Sequence, residues 1–239
     1  AIILYGIAKA GLGGSISLIS VPLMTLVMPL SQALAIILPI LIFSDMVAVY
    51  RFRKEFDLNT LKLIVPFAGI GILIGSLTFS YFSEDILKFI VGVMGFIFTV
   101  HYFLFKKNKE EKSKKNFFKG GICSTIAGFT SFISHIGGPP WQIFTIPLQM
   151  KKTVFVGTSV IVFSYCNAIK LIPYMWLGQI NIESIKISLF MMFPASLAVF
   201  AGIRIVKIIP EDVFFKIITW ALMSISIKLM WDGFKIPFG

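Results

Sequence analysis

Two glycine-rich stretches, Gly11-Leu12-Gly13-Gly14-Ser15 and His135-Ile136-Gly137-Gly138-Pro139-Pro140, each interrupt an apolar run long enough to enter a bilayer. A break at mid-depth in a membrane helix frees backbone N–H and C=O groups that lipid cannot satisfy, so it survives only beside protein or a cavity. A matched pair of such breaks indicates a transporter's substrate site. The other interpretation is a pair of packing kinks, at which small residues let helices approach closely.

The composition predicts an all-α, polytopic membrane protein. Hydrophobic residues make up 57% of the 239 residues and charged residues only 14%, and the mean hydropathy is +0.90. These values exclude an ordinary soluble domain. The net charge of +11 lies mainly in connecting loops, where it sets orientation. We therefore expect the lipid bilayer as a partner and no nucleic acid.

The apolar residues fall into eight stretches of membrane-spanning length. They are roughly 1–30, 32–50, 61–81, 87–105, 120–150, 153–176, 185–203 and 213–231. A basic linker, 106–119, separates an N-terminal repeat (1–105) from a C-terminal repeat (120–239) within one transmembrane domain. The halves share landmarks in the same order, such as Val21-Pro22-Leu23 and Ile146-Pro147-Leu148 after the glycine pairs, which indicates an internal duplication.

The distribution of lysine and arginine orients the chain. Loops 51–62 and 106–119 face the cytoplasm whether all eight stretches cross or the first stretch of each half is a re-entrant hairpin. The re-entrant arrangement divides the positive charges more unevenly between the two faces. It leaves three crossings per half, so we expect the two repeats to be inverted relative to each other.

The glycine breaks carry the first predicted binding residues. Glycine tolerates the left-handed conformation that ends a helix, and proline suits the first turn of the next one. Gly137, Gly138 and Pro139 should therefore end one half-helix and start another, leaving four free N–H groups that favour an anion. Gly13, Gly14 and Ser15 should do the same in the first half, with Ser15 as the N-cap.

Lys170 and Asn167 are predicted to complete the anion site. A lysine inside an apolar stretch needs an anion, a carboxylate or access to the interface. Asn167 precedes it by one helical turn and so shares a face with it. Amide and ammonium donors together suit an oxyanion. The alternative for Lys170 is an extended side chain whose ammonium reaches the interface.

Three more ionisable residues, Asp45, His135 and Lys9, are candidates for coupling or binding. Lys9 precedes the first glycine break and could contribute positive potential. Asp45 could pair with Lys170 or Lys9, or take up a proton, although it could also be a polar residue near a helix end. His135, with Ser134 beside it, could bind substrate or relay a proton. A structural role, donating to backbone freed at the break, is the alternative for His135.

Enzyme chemistry has no support in the sequence. His135 and His101 stand without metal-ligand spacing, so we predict no metal and no cofactor. No nucleophile, metal or phosphate-binding signature is present. We therefore predict that the chain is not an enzyme.

Several motifs together resemble the sulfite exporter TauE/SafE family, also called the 4-toluene sulfonate uptake permeases. They are the Gly-x-Gly-Gly and Val-Pro-Leu pair of the first half, His135-x-Gly-Gly-Pro-Pro, Gly157-Thr158-Ser159, Asn167-x-x-Lys170-x-x-Pro173-Tyr174, the Asp45 segment running into Tyr50-Arg51, and the run from Pro66 to Gly75. The resemblance covers nearly the whole chain. It implies a secondary carrier for small sulfur-containing anions, among them sulfite and sulfonates.

The sequence thus predicts a plasma-membrane carrier that exports a small organic or sulfur-containing anion by alternating access, with proton coupling through Asp45 or His135. Two alternatives stay open, an anion channel and a non-transporting scaffold component. A homodimer is also left open.

Overall fold

The computed structural model describes Met24 and residues 30–79, 83–105, 114–135, 137–178, 180–208 and 210–234. Every regular element in these ranges is helical. The helices are α1 (Leu30–Phe52), α2 (Leu58–Thr78), α3 (Glu84–Phe105), α4 (Phe117–Ser134), α5 (Gly138–Thr145), α6 (Lys152–Trp176), α7 (Ile182–Ile208) and α8 (Glu211–Phe234), with a 3-10 turn at Ile146–Leu148 after α5.

Seven of the eight predicted apolar stretches correspond to these helices, and the stretch at 120–150 is divided into α4, α5 and the 3-10 turn. The stretch at 1–30, with Lys9, Gly13, Gly14 and Ser15, lies outside the described residues apart from Met24 and Leu30. Helix α4 begins at Phe117, two residues before the predicted end of the linker, because the Asn116 side chain accepts a hydrogen bond from the Lys119 N–H and caps its first turn.

Three helices of the described part are long and apolar enough to cross a bilayer, namely Gln32–Phe52, Leu58–Thr78 and Lys152–Trp176. Large apolar side chains cover much of the outer surface. Trp176 is 82% exposed and Phe190 78% exposed. An apolar exterior of this extent suits contact with lipid, because soluble proteins rarely expose large apolar patches to water.

Helix α1 lies in the core and packs against both α6 and α7. Its residues from Ala33 to Leu38 are almost completely buried, as expected of a helix that is apolar on all sides. The Ser188 hydroxyl of α7 donates to the Ile36 carbonyl of α1 at 2.7 Å. A polar side chain thereby ties two apolar helices together.

Helices α2 and α4 pack closely because glycines remove side chains from their contact. A Cβ atom on Gly71 of α2 would lie 2.0 Å from the Thr125 carbonyl oxygen, and one on Gly128 of α4 would lie 2.1 Å from the Ala68 carbonyl oxygen. Backbone oxygens cannot move aside as a flexible side chain can. This seam therefore joins a helix from each half at backbone distance.

The loop after α1 meets the starts of α4 and α6 at one end of the molecule. Lys115, just before α4, donates to both carboxylate oxygens of Asp57 at 2.7 and 2.9 Å. The Asp57 N–H donates to the Thr158 hydroxyl, in the second turn of α6, at 3.0 Å. The ends of α1, α2, α4 and α6 nearest this loop therefore lie together.

Helix α5 returns alongside α4 toward the same end. A Cβ atom on Gly120, near the start of α4, would lie 3.0 Å from the ring of Phe144, near the end of α5. The two helices pack against each other along this path. They form a helical hairpin whose tip is the break between Ser134 and Gly138.

Candidate functional site at the interrupted helix

The break in the fifth stretch occurs where the sequence predicts it, but the left-handed residue is different. Helix α4 ends at Ser134, and His135 adopts φ 55° and ψ 24°, with its N–H bonded to the Ser131 and Thr130 carbonyls. Gly137 has φ −79° and ψ −12°, a conformation open to any residue. The expectation that glycine supplies the left-handed turn is therefore wrong. His135 supplies it.

Gly137 is needed for space rather than for conformation. A Cβ atom there would lie 2.7 Å from the Ala127 carbonyl oxygen and 3.0 Å from the Ser131 Cβ. Both atoms belong to α4, on which the break folds back. A side chain at Gly137 would push the tip of the hairpin away from α4.

The N-terminus of α5 offers fewer backbone donors than expected. Gly138 is the first residue of this helix, and Pro139 and Pro140 follow it. The prolines have no N–H, and the Trp141 N–H is already bonded to the Gly137 carbonyl at 3.3 Å. The predicted four free N–H groups are wrong for this helix, since of its first three residues only Gly138 has one. The positive end of the helix dipole remains.

The side chain of Lys170 ends at this break and not at the interface. It is 0% exposed, which rules out the interfacial alternative. Its Nζ donates to the Ser131 carbonyl at 2.9 Å and to the Ser131 hydroxyl at 3.1 Å, and lies 2.8 Å from Nδ1 of His135. An ammonium has only donors, so Nδ1 accepts and the ring proton of a neutral His135 is on Nε2.

Tyr174, one turn beyond Lys170, contacts the same end of α4. Its hydroxyl donates to the Phe132 carbonyl at 2.7 Å, and its ring stacks on that of His135 with a centroid distance of 6.1 Å. We predicted no role for Tyr174. Its spacing of four residues from Lys170 puts both on one face of α6, which is the signal that could have identified it.

Asn167 and Lys170 have different partners, although they are one turn apart. The Asn167 amide donates to a carboxylate oxygen of Asp45 on α1 at 2.8 Å, whereas Lys170 reaches α4. Asp45 is 3% exposed and Asn167 is 4% exposed. Asp45 is thus part of the same interior polar region and not an exposed residue at a helix end.

A second contact fixes the start of α5 on α6. The indole N–H of Trp141 donates to the Ser159 hydroxyl at 2.9 Å, and its ring meets Phe163 edge-on at 6.0 Å. The next residue, Gln142, is fully buried. The sequence does not identify Trp141 as an anchor of α5, because an aromatic residue in an apolar run gives no signal that separates core packing from anchoring.

The structure therefore brings together one half of the predicted site. Ser134, His135, Gly137, Gly138 and Pro139 lie at the tip of the hairpin, where Lys170 contacts His135. Asn167 and Asp45 bond to each other, and Asn167 lies one turn before Lys170 on α6. The described residues hold no group of three metal-ligating side chains.

The comparison with known families identifies the chain's relatives. The family model "Sulfite exporter TauE/SafE" matches residues 1–229. The chain belongs to this family. Membership of a transporter family, together with the apolar helices, makes the chain a membrane-embedded protein. No curated protein and no solved structure matches it.

Proposed function

We propose that this TauE/SafE family member is a secondary carrier that exports a small sulfur-containing or related organic anion, such as sulfite or a sulfonate. The observation that carries the proposal is the fully buried ammonium of Lys170 at an interrupted helix. Burying a positive charge is costly, so a buried lysine beside a helix break supports an anion site at that break.

The surroundings of Lys170 suit an anion. Its three described acceptors, two from Ser131 and one from His135, are neutral groups. They accept hydrogen bonds from the ammonium. The dipole of α5 adds positive potential from the other side of the break. An oxyanion near Gly138 would therefore meet favourable potential from both elements.

The helix contacts support alternating access between inverted repeats. Helix α1 runs toward the end of the molecule where Asp57 lies, whereas its counterpart α6 runs away from that end. Contacts of α1 with α7 are matched by contacts of α6 with α2, and α3 pairs with its counterpart α8. Two inverted halves around one site allow each half to move against the other.

In this proposal the α4–α5 hairpin is re-entrant from the cytoplasmic side of the plasma membrane. Both of its ends lie near Asp57, in the loop that the positive charges assign to the cytoplasm. Asp45 and His135 are the candidates for proton coupling, because both are ionisable and lie in the interior polar region.

Transport by purified protein in proteoliposomes tests the proposal. Wild-type protein should show saturable flux and counterflow with sulfite or a sulfonate. Lys170→Ala should abolish that flux while the protein stays folded, and Lys186→Ala, which removes an exposed lysine of α7, should not change it. Flux that rises linearly with concentration would indicate a channel. Wild-type flux in Lys170→Ala would remove Lys170 from the mechanism.

A further inference from the structure

The C-terminal end of α4 is held by side chains from another helix. The last four carbonyls of a helix have no partner within it, and in lipid each would be costly to leave unsatisfied. Lys170 and Tyr174 of α6 donate to two of these carbonyls, that of Ser131, which also accepts from the His135 N–H, and that of Phe132. A cation at this position also interacts favourably with the negative end of the α4 dipole.

We propose that Lys170 and Tyr174 are a capping pair that positions the break, and that Lys170 does not bind the transported anion directly. An ammonium has three N–H donors. The Ser131 carbonyl, the Ser131 hydroxyl and His135 Nδ1 supply three acceptors at 2.8 to 3.1 Å. All three N–H donors of Lys170 thus bond to protein atoms. Its charge affects the anion indirectly, because it fixes the geometry of the break and adds to the electrostatic potential there.

One face of α6 carries the described side-chain contacts with the break. At 100° per residue, Ser159, Phe163, Lys170 and Tyr174 fall within an arc of about 60°. Ser159 and Phe163 hold Trp141 at the start of α5, whereas Lys170 and Tyr174 hold the end of α4. Asn167, just outside this arc, turns to Asp45 instead. Helix α6 is therefore a template that fixes both sides of the break.

Tyr174→Phe separates positioning from direct binding, because it removes one hydrogen bond and no charge. Tyr165→Phe on another face of α6 is the matched control. Losing a buried hydrogen bond costs about 1 kcal/mol, or about fivefold in the population of the correctly held break. We expect amide exchange in residues 131–142 to be about fivefold faster in Tyr174→Phe and unchanged in Tyr165→Phe. Lys170→Met should accelerate exchange in the same segment.

The transport measurement rests on the proposed function, and its readout is independent of the amide-exchange measurement. Tyr174→Phe should lower the maximal transport rate and leave the apparent KM within about twofold, since the anion does not touch Tyr174. Unchanged exchange in Tyr174→Phe would overturn the capping pair. A Lys170→Met variant with a raised KM and wild-type exchange would show direct binding instead. If exchange changes as expected but wild-type protein moves no anion, the capping pair stands and the proposed function fails.

Discussion

At the residue scale, contacts with other residues offset the conformational free-energy cost of the left-handed backbone at His135. A non-glycine residue in the left-handed region costs of order 1 kcal/mol or more. His135 adopts this conformation while its backbone N–H bonds to α4 and its ring meets Lys170 and Tyr174. The glycine that follows at position 137 is kept for close approach to α4.

Gly137→Ala should therefore destabilise the protein and slow transport. The new Cβ would be 2.7 Å from the Ala127 carbonyl oxygen, and overpacking of this kind costs about 1–3 kcal/mol. Gly121→Ala, in the same predicted stretch, is the control, because the atoms nearest to its Cβ belong to the side-chain ring of Phe67, at 3.2 Å, and not to the backbone. Thermal unfolding in detergent measures both variants. Equal stability of the two would contradict the close approach assigned to Gly137.

At the scale of helices and loops, Asp57 joins three parts of the chain. It caps α2 by accepting from the Thr60 N–H at 2.8 Å, pairs with Lys115 before α4, and donates its own N–H to Thr158 of α6. Partial burial raises the pKa of Asp57, but the hydrogen bonds and charge of Lys115 and the Thr60 N–H outweigh it. The pKa therefore lies below its usual value of 3.8.

Asp57→Asn should remove the ion pair and keep the cap, because asparagine caps helices as well as aspartate does. We expect a stability loss within about 1 kcal/mol for Asp57→Asn, and a further loss of about 1 kcal/mol for Asp57→Ala. With a lowered folded-state pKa, the ionised carboxylate's contribution is present above pH 3.8 and is lost as the pH falls through the folded pKa. Melting curves at several pH values test this. A difference between wild type and Asp57→Asn that grows on acidification would contradict it.

The sequence predicts where the helix is interrupted but not which side chains meet at the interruption. The glycine–proline run predicts the interruption of the fifth stretch, because those residues are poor within a helix and suitable at its ends. That Lys170 either is buried or extends to the interface follows from its place in an apolar run. Its partners do not, because Ser131 and His135 meet Lys170 only through the packing of α4 on α6. Trp141 gave no signal for the same reason, whereas the spacing of Tyr174 from Lys170 could have identified Tyr174.

At the scale of the whole molecule, the chain pairs helices from its two halves, with the α4–α5 hairpin against α2 and α6. The hairpin begins and ends near Asp57, whereas an unbroken fifth stretch would carry the chain to the opposite face. Sidedness therefore separates the re-entrant arrangement from the arrangement of eight crossings.

Cysteine labelling in intact cells tests this topology in a protein whose two buried cysteines, Cys123 and Cys166, are replaced by alanine. Lys114→Cys and Lys151→Cys flank the hairpin at exposed positions. Both should be protected from a membrane-impermeant reagent, and Glu183→Cys at the start of α7 should react. Reaction at only one of the two flanking positions would mean that the segment crosses the membrane.

The central claim is that an anion binds at the break between α4 and α5. Amide exchange of purified wild-type protein, measured with and without saturating sulfite or sulfoacetate, tests it most directly. We expect the anion to slow exchange in residues 131–142 and in the part of α6 around Lys170, and chloride at the same ionic strength to have no effect. Slower exchange confined to other helices, or none with either anion, would contradict it.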